Sequence, residues 1–157
     1  MHQRFRVIIM GVKKIDKCLT RMITLLARRS QICIGNTLKK YNLSAAEQPF
    51  FMTLKHNEGT TQEELTAIVC VDKSAATRAL KSLEEKGYII RKQDEKDKRQ
   101  NRVYLTEKAK QIGEDVAKEL LDLNDMITKD IYPEEIDIIY SALVKMNKNA
   151  IDILDTK

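Results

Sequence analysis

The sequence predicts a mainly α-helical protein carrying one small β-hairpin, and three observations support this. Only 5 Gly and 2 Pro occur in 157 residues, so the chain has few places to turn sharply and long helices are favoured. Apolar residues recur every three to four positions over most of its length, the spacing of one helix face. Only between Tyr88 and Leu105 does the pattern become an alternating one. The length suits one domain with a real core and is short for two. With no Trp and 5% aromatic residues, that core is expected to be aliphatic.

Residues 13–41 read as a long helix, with Ile15, Leu19, Met22, Leu26 and Cys33 on one stripe and Asn42 as its stop. Ser44-Ala45-Ala46-Glu47 is a capping box that should open a second helix carrying Phe50, Phe51 and Leu54 and ending near Gly59. Pro49 sits late for a first turn, so an irregularity is expected there. Thr61 and Glu64 form another capping box, opening a short helix that stops around the β-branched Val69 and Val71. Asp72 is then a fresh N-cap for a helix from Lys73 to Lys86, with Ala76, Ala79, Leu80 and Leu83 inward and Gly87 ending it.

Tyr88–Arg91 and Arg102–Leu105 read as two strands joined by a polar, charge-dense loop, and nothing else suggests β structure. Thr106 starts another long helix, in which Ile112, Val116, Leu120, Leu123 and Ile127 are spaced 4, 4, 3 and 4. Pro133 belongs in the first turn of the last helix, which carries Ile136, Ile139, Tyr140, Leu143, Met146, Ala150 and Ile153 on one side. One integrated domain results: an N-terminal arm and helix over 1–43, a central lobe over 44–105 and C-terminal helices over 106–157.

A helix, a short helix, a tight turn, a second helix and a charged hairpin make a winged helix-turn-helix. The second helix of the pair offers Lys73, Ser74, Thr77 and Arg78 outward as donors for base edges and phosphates, with Lys81 further along. Thr61 and Gln62 at the start of the first, and Arg91, Asp97, Arg99 and Arg102 on the wing, complete the candidate DNA-binding set. An arginine at a protruding tip suits the narrow minor groove, and a nearby carboxylate can orient its guanidinium.

Charge is unevenly spread. Net charge is +9 over residues 1–43, −3 over 44–71, +4 over 72–105 and −5 over 106–157. This pattern is compatible with a polyanion partner. The basic N-terminal stretch fits either a phosphate-contacting arm or, the preferred reading, a match for the acidic C-terminal helices of a partner chain. The stripes on 13–41, 106–130 and 133–155 exceed what one small winged domain can bury, so the N- and C-terminal helices are expected to form a dimerisation region.

Other classes fare poorly. No Gly-rich phosphate loop, histidine cluster or Ser/His/Asp set is present, so neither an enzyme nor a cofactor is expected. Cys18, Cys33 and Cys70 are odd in number and widely spaced, which argues against disulfides and a metal site and for reduced thiols, with Cys70 buried. The apolar run Val7–Val12 is too short to span a bilayer, so a cytoplasmic protein is expected. A helical protein-interaction module without DNA binding remains the rival reading.

The residues also resemble the MarR family of bacterial and archaeal regulators. The resemblance lies in Gly59-Thr60-Thr61-Gln62-Glu63-Glu64-Leu65, in Val71-Asp72-Lys73-Ser74-Ala75-Ala76-Thr77-Arg78-Ala79-Leu80 and in Leu83-Glu84-Glu85-Lys86-Gly87-Tyr88-Ile89. The wing adds Asp97-x-Arg99-x-x-x-Val103-x-Leu105-Thr106. It implies that Ser74, Thr77 and Arg78 face DNA, that Arg99 enters the minor groove held by Asp97, and that the protein is a homodimer on a pseudo-palindromic operator.

The resemblance further implies a transcriptional repressor relieved by a small aromatic or lipophilic ligand. Met22, Phe50, Phe51 and Met52 are candidates to line its pocket, although the same spacing suits a core. One branch of the family senses oxidants through a cysteine near the start of its first helix. Cys18 lies in that helix, about half a turn from the expected place, and its neighbours Lys14, Lys17 and Arg21 would lower its pKa.

Overall fold

The computed structural model describes residues 18–94 and 98–156. In chain order these form α1 (Leu19–Leu38), α2 (Gln48–His56), β1 (Thr60–Thr61), α3 (Gln62–Val69), α4 (Lys73–Glu85), β2 (Ile89–Gln93), β3 (Asn101–Leu105), α5 (Glu107–Ile127) and α6 (Pro133–Asp155). A single 3-10 turn, Lys39–Tyr41, follows α1. The chain divides into two compact units, one reaching Ala117 and the other starting at Lys118, with α5 running through the boundary.

Helix ends in the first unit follow local chemistry. The Thr61 hydroxyl accepts from the Glu64 amide at 3.3 Å, and the Glu64 carboxylate accepts from the Thr61 amide at 2.8 Å, closing the expected capping box. Asp72 Oδ1 accepts from the Ala75 amide at 2.8 Å and caps α4. At its other end the Gly87 amide donates to Glu84 and the Tyr88 amide to Leu83, each at 2.9 Å, the paired bonds of a Schellman stop. Gly87 supplies the positive φ of 70° that this stop needs. Asn42 and Cys70 end α1's 3-10 extension and α3 in the same left-handed conformation, at φ 54° and 56°.

Four expectations need correction. The Ser44–Glu47 pair does form, but in a turn ahead of the helix. α2 itself begins at Gln48, which moves Pro49 into the first turn where its missing N–H costs nothing. A third strand exists: Thr60 and Thr61 pair antiparallel with Val103 and Arg102, giving a sheet in the order β1-β3-β2. The hairpin strands are longer than expected, reaching Gln93 and starting at Asn101, so the charged loop is short. Cys70 is exposed rather than buried, because the left-handed turn carries it outward.

The core of this unit is aliphatic with an aromatic centre. Phe50, Phe51, Leu54, Leu65, Leu80, Leu83, Ile89 and Val103 are all buried, each stabilising the fold by roughly 1.5–3 kcal/mol relative to exposure. Phe51 meets Tyr88 edge-to-face at 5.9 Å between centroids, and the Tyr88 hydroxyl donates to the Tyr41 carbonyl at 2.6 Å. Glu47, buried, pairs with Lys86 at 2.7 Å and so ties the entry to α2 to the end of α4. In the second unit no residue of α6 is buried, and Ile138, Ile139, Tyr140, Leu143 and Val144 are among its exposed apolar side chains.

Candidate nucleic-acid interface

The α4 helix divides cleanly into two faces. Ala76, Ala79, Leu80 and Leu83 are buried, and the two alanines let the backbone lie close to its support. Lys73, Ser74, Thr77, Arg78 and Lys81 are exposed. Lys81 has a local partner, Glu85 one turn on at 3.7 Å. Asp72, at the head of this face, has its carboxyl held below the usual range by the Ala75 amide. Its charge sits at the positive end of the helix, where it is favoured.

Gln62, the first residue of α3, links this helix to the wing. Its Nε2 donates to the Thr77 hydroxyl at 3.0 Å, and its Oε1 accepts from Arg91 Nη1 at 3.3 Å. Arg91 Nε lies 3.3 Å from Glu84 Oε2, which returns the network to α4. The polar side chains at the start of α3, on α4 and on β2 therefore hold one another in place. Beside them is a cleft of about 440 Å³, lined by Thr61, Gln62, Glu63, Arg91, Arg99, Gln100, Asn101 and Val103.

The wing is pinned where its strands enter the loop. Asp94 is buried and ion-paired with Arg102, whose guanidinium also donates to the Gly59 carbonyl at 2.7 Å. The hydrogen bond and charge of Asp94 raise the Arg102 pKa further. The Asp94 amide donates to the Gln100 carbonyl at 2.9 Å, and Gln93 Nε2 to the Lys98 carbonyl at 2.6 Å, closing the tip and leaving Lys98 and Arg99 exposed. Thr106 caps α5 by accepting from the Ala109 amide at 3.2 Å, and donates to Gly87 at 2.7 Å. That accounts for the Leu-Thr at the close of the wing motif.

The candidate set thus falls into groups. Lys73, Ser74, Thr77, Arg78 and Lys81 share one exposed helix face, and Arg99 sits at the wing tip. Thr61 is taken up by the α3 cap, while Gln62, Arg91 and Arg102 make internal bonds that position the rest. Asp97 lies outside the described residues, as does the basic arm up to Lys17. Sequence reasoning missed the roles of Asp94 and Gly59. In the sequence Asp94 is one acid among several in a charged stretch, and Gly59 offers a helix stop and the head of a family-like segment but no sign of its bond to Arg102.

Phe50 and Phe51 are core residues, Met52 is half-buried and Met22 is exposed on α1. Cys18 stands just ahead of α1 as its extended N-cap residue and not within the helix as expected; it is exposed, and its thiol is held below the ordinary range chiefly by the Thr20 hydroxyl at 3.1 Å, then by the Arg21 amide and charge. Among the described residues no cluster of His, Cys, Asp and Glu is placed to hold a metal ion, and no helix is long and apolar enough to cross a membrane.

A capped helix pair with a left-handed turn between its members, followed by a pinned β-hairpin, defines a winged helix-turn-helix protein. The MarR family profile matches residues 46–100. An HTH-type transcriptional regulator of Bacillus cereus is 32% identical over 114 residues, covering 72% of this chain and 76% of its own. The crystal structure of a MarR transcriptional regulator from Methanosarcina mazei Go1 superposes with a TM-score of 0.79 at 32% identity, over 86% of this chain and 97% of that one. A MarR family regulator from Listeria monocytogenes, solved with a 26mer DNA, superposes with a TM-score of 0.81 at 30% identity, over 87% and 91%. The chain belongs to the MarR family, whose members are transcriptional regulators and not enzymes.

Proposed function

We propose that the protein is a homodimeric, sequence-specific regulator that lays α4 in the major groove of duplex DNA and brings Arg99 to the adjacent minor groove. The observation that carries this is the exposed face of α4. Lys73, Ser74, Thr77 and Arg78 project from a helix fixed by its buried alanines and leucines. Donors on a rigid helix lose little entropy on meeting base edges and phosphates. The similarity to the Listeria regulator solved with a 26mer DNA supports DNA as the partner.

Dimerisation is argued from exposed apolar surface. α1 exposes Leu19, Met22 and Leu26, and α6 exposes Ile139, Tyr140 and Leu143. Such stripes are unfavourable in water and are covered by a second copy. Two lobes related by a two-fold axis read half-sites about 10 bp apart. The regulator acts in the cytoplasm as a repressor, released by a small aromatic or lipophilic molecule, the form of control that the family resemblance implies.

The test is a titration against duplex from the protein's own upstream region and against a scramble of equal length, at two salt concentrations. Affinity about 10³ or more above the scramble, reduced by Arg99→Ala, is the expected result. Equal, weak and steeply salt-dependent binding to both would leave only non-specific electrostatics.

A further inference from the structure

We propose that Thr77 reads a thymine through its methyl group, and that Gln62 holds it in the orientation to do so. The inference rests on the duplex-DNA reading above and specifies what one residue of that face recognises.

Thr77 Oγ1 donates to the Lys73 carbonyl at 2.7 Å and accepts from Gln62 Nε2 at 3.0 Å. A hydroxyl has one hydrogen, so none remains to donate to guanine N7 or O6, or to thymine O4. Thr77 is nevertheless exposed on the recognition face, and its other side-chain group is a methyl. One lone pair of the oxygen is still able to accept, but the hydroxyl has no hydrogen to give, and in the major groove the apolar feature of a base edge is the thymine C5-methyl, which the exposed Thr77 methyl can meet.

Gln62 sets the geometry from outside the helix. Bonding of a helical threonine to the carbonyl four residues back is common and alone would specify little. Here a second bond comes from a different helix, and the donor is itself fixed by Arg91, which Glu84 holds in turn. The four side chains start and finish on α4, so the rotamer of Thr77 is imposed by the lobe. Lys73, Ser74 and Arg78 supply the polar contacts around it.

The experiment enriches an operator from random duplexes with the intact protein, then replaces each thymine singly by deoxyuridine, which keeps every polar atom and lacks only the methyl. At one symmetry-related position per half-site the wild-type protein should lose about 4-fold in affinity, and the loss should fall below about 1.5-fold in Thr77→Ser. Serine keeps the hydroxyl and both of its hydrogen bonds. Gln62→Met should also reduce the preference for thymine over deoxyuridine. If deoxyuridine is neutral at every position, or equally costly to Thr77→Ser, the inference is overturned while sequence-specific binding stands. If no duplex is enriched, the DNA reading itself fails and this inference with it.

Discussion

Arg102 Nη1 donates to the Gly59 carbonyl at 2.7 Å, joining strand β3 to the residue just before β1. The Gly59 amide in turn donates to the Val103 carbonyl at 2.9 Å. Gly59 has φ +78°, and a Cβ there would lie 3.2 Å from the Tyr104 hydroxyl, so the site admits only glycine without strain. Since Arg102 also holds the buried Asp94, it anchors the wing. Arg102→Ala should lower DNA affinity because Arg99 is no longer presented, and adding it to Arg99→Ala should cost little more. Additive losses in the double variant would show that Arg102 touches DNA itself.

Glu47 gives a pH signature. Burial opposes its ionisation, but hydrogen bonds from Lys86, Ser82 and Ser44 outweigh that and hold its carboxyl below the usual range. A carboxyl whose folded pKa lies below its unfolded value stabilises the fold fully above the unfolded value of about 4.3, and loses that contribution as pH falls through the folded one. Stability should therefore decline on acidification below about pH 5, and Glu47→Gln should flatten that decline. The same variant should cost about 1–3 kcal/mol at pH 7, measured by urea unfolding.

Cys70 stands at φ 56° in the turn between α3 and α4, a conformation costing about 1–2 kcal/mol in a residue with a Cβ. Cys70→Gly should be neutral or stabilising by up to about 1 kcal/mol, because glycine's extra freedom in the unfolded chain offsets part of the relief. Cys70→Val should destabilise, since a β-branched side chain tolerates this region poorly. Thermal unfolding should place Cys70→Val below the wild type and Cys70→Gly at or above it if the turn is as described.

What could be read in the sequence was what short range determines. The box at Thr61 and Glu64, the cap at Asp72 and the stops at Asn42 and Gly87 each depend on residues within a few positions, and each is present. β1 was missed because two residues cannot display an alternating pattern, and it exists only through its pairing with β3. The ties that organise the site join distant positions: Gln62 to Thr77 across 15 residues, Glu47 to Lys86 across 39 and Gly59 to Arg102 across 43. No local pattern marks Asp94, rather than a neighbouring acid, as the one drawn inside.

Dimerisation should depend on the exposed faces. Ile139 and Leu143 lie one turn apart on α6, 44% and 43% exposed. The double variant Ile139→Asp/Leu143→Asp should raise the dimer dissociation constant by about 10²–10⁴, the loss expected when four half-exposed side chains, two from each protomer, no longer complete their burial. Equilibrium sedimentation reads this directly, and a wild-type monomer at micromolar concentration would contradict the dimer.

Lys73 and Arg78 share the α4 face but should differ in function. Lys73→Ala should weaken binding to all sequences alike and reduce the salt slope by about 1, as loss of one phosphate contact requires. Arg78→Ala should relax discrimination at one base pair, costing about 1–3 kcal/mol there. Titrations over a salt series with single-base operator variants separate the two effects.

If the outer face of α4 reads base sequence, as proposed, selection from random duplexes will reveal it. Wild-type protein should enrich one two-fold-symmetric consensus, and Arg78→Ala should enrich the same consensus with one symmetric pair of positions relaxed. A pool that stays random after repeated rounds, while the protein is folded and dimeric, would contradict the claim.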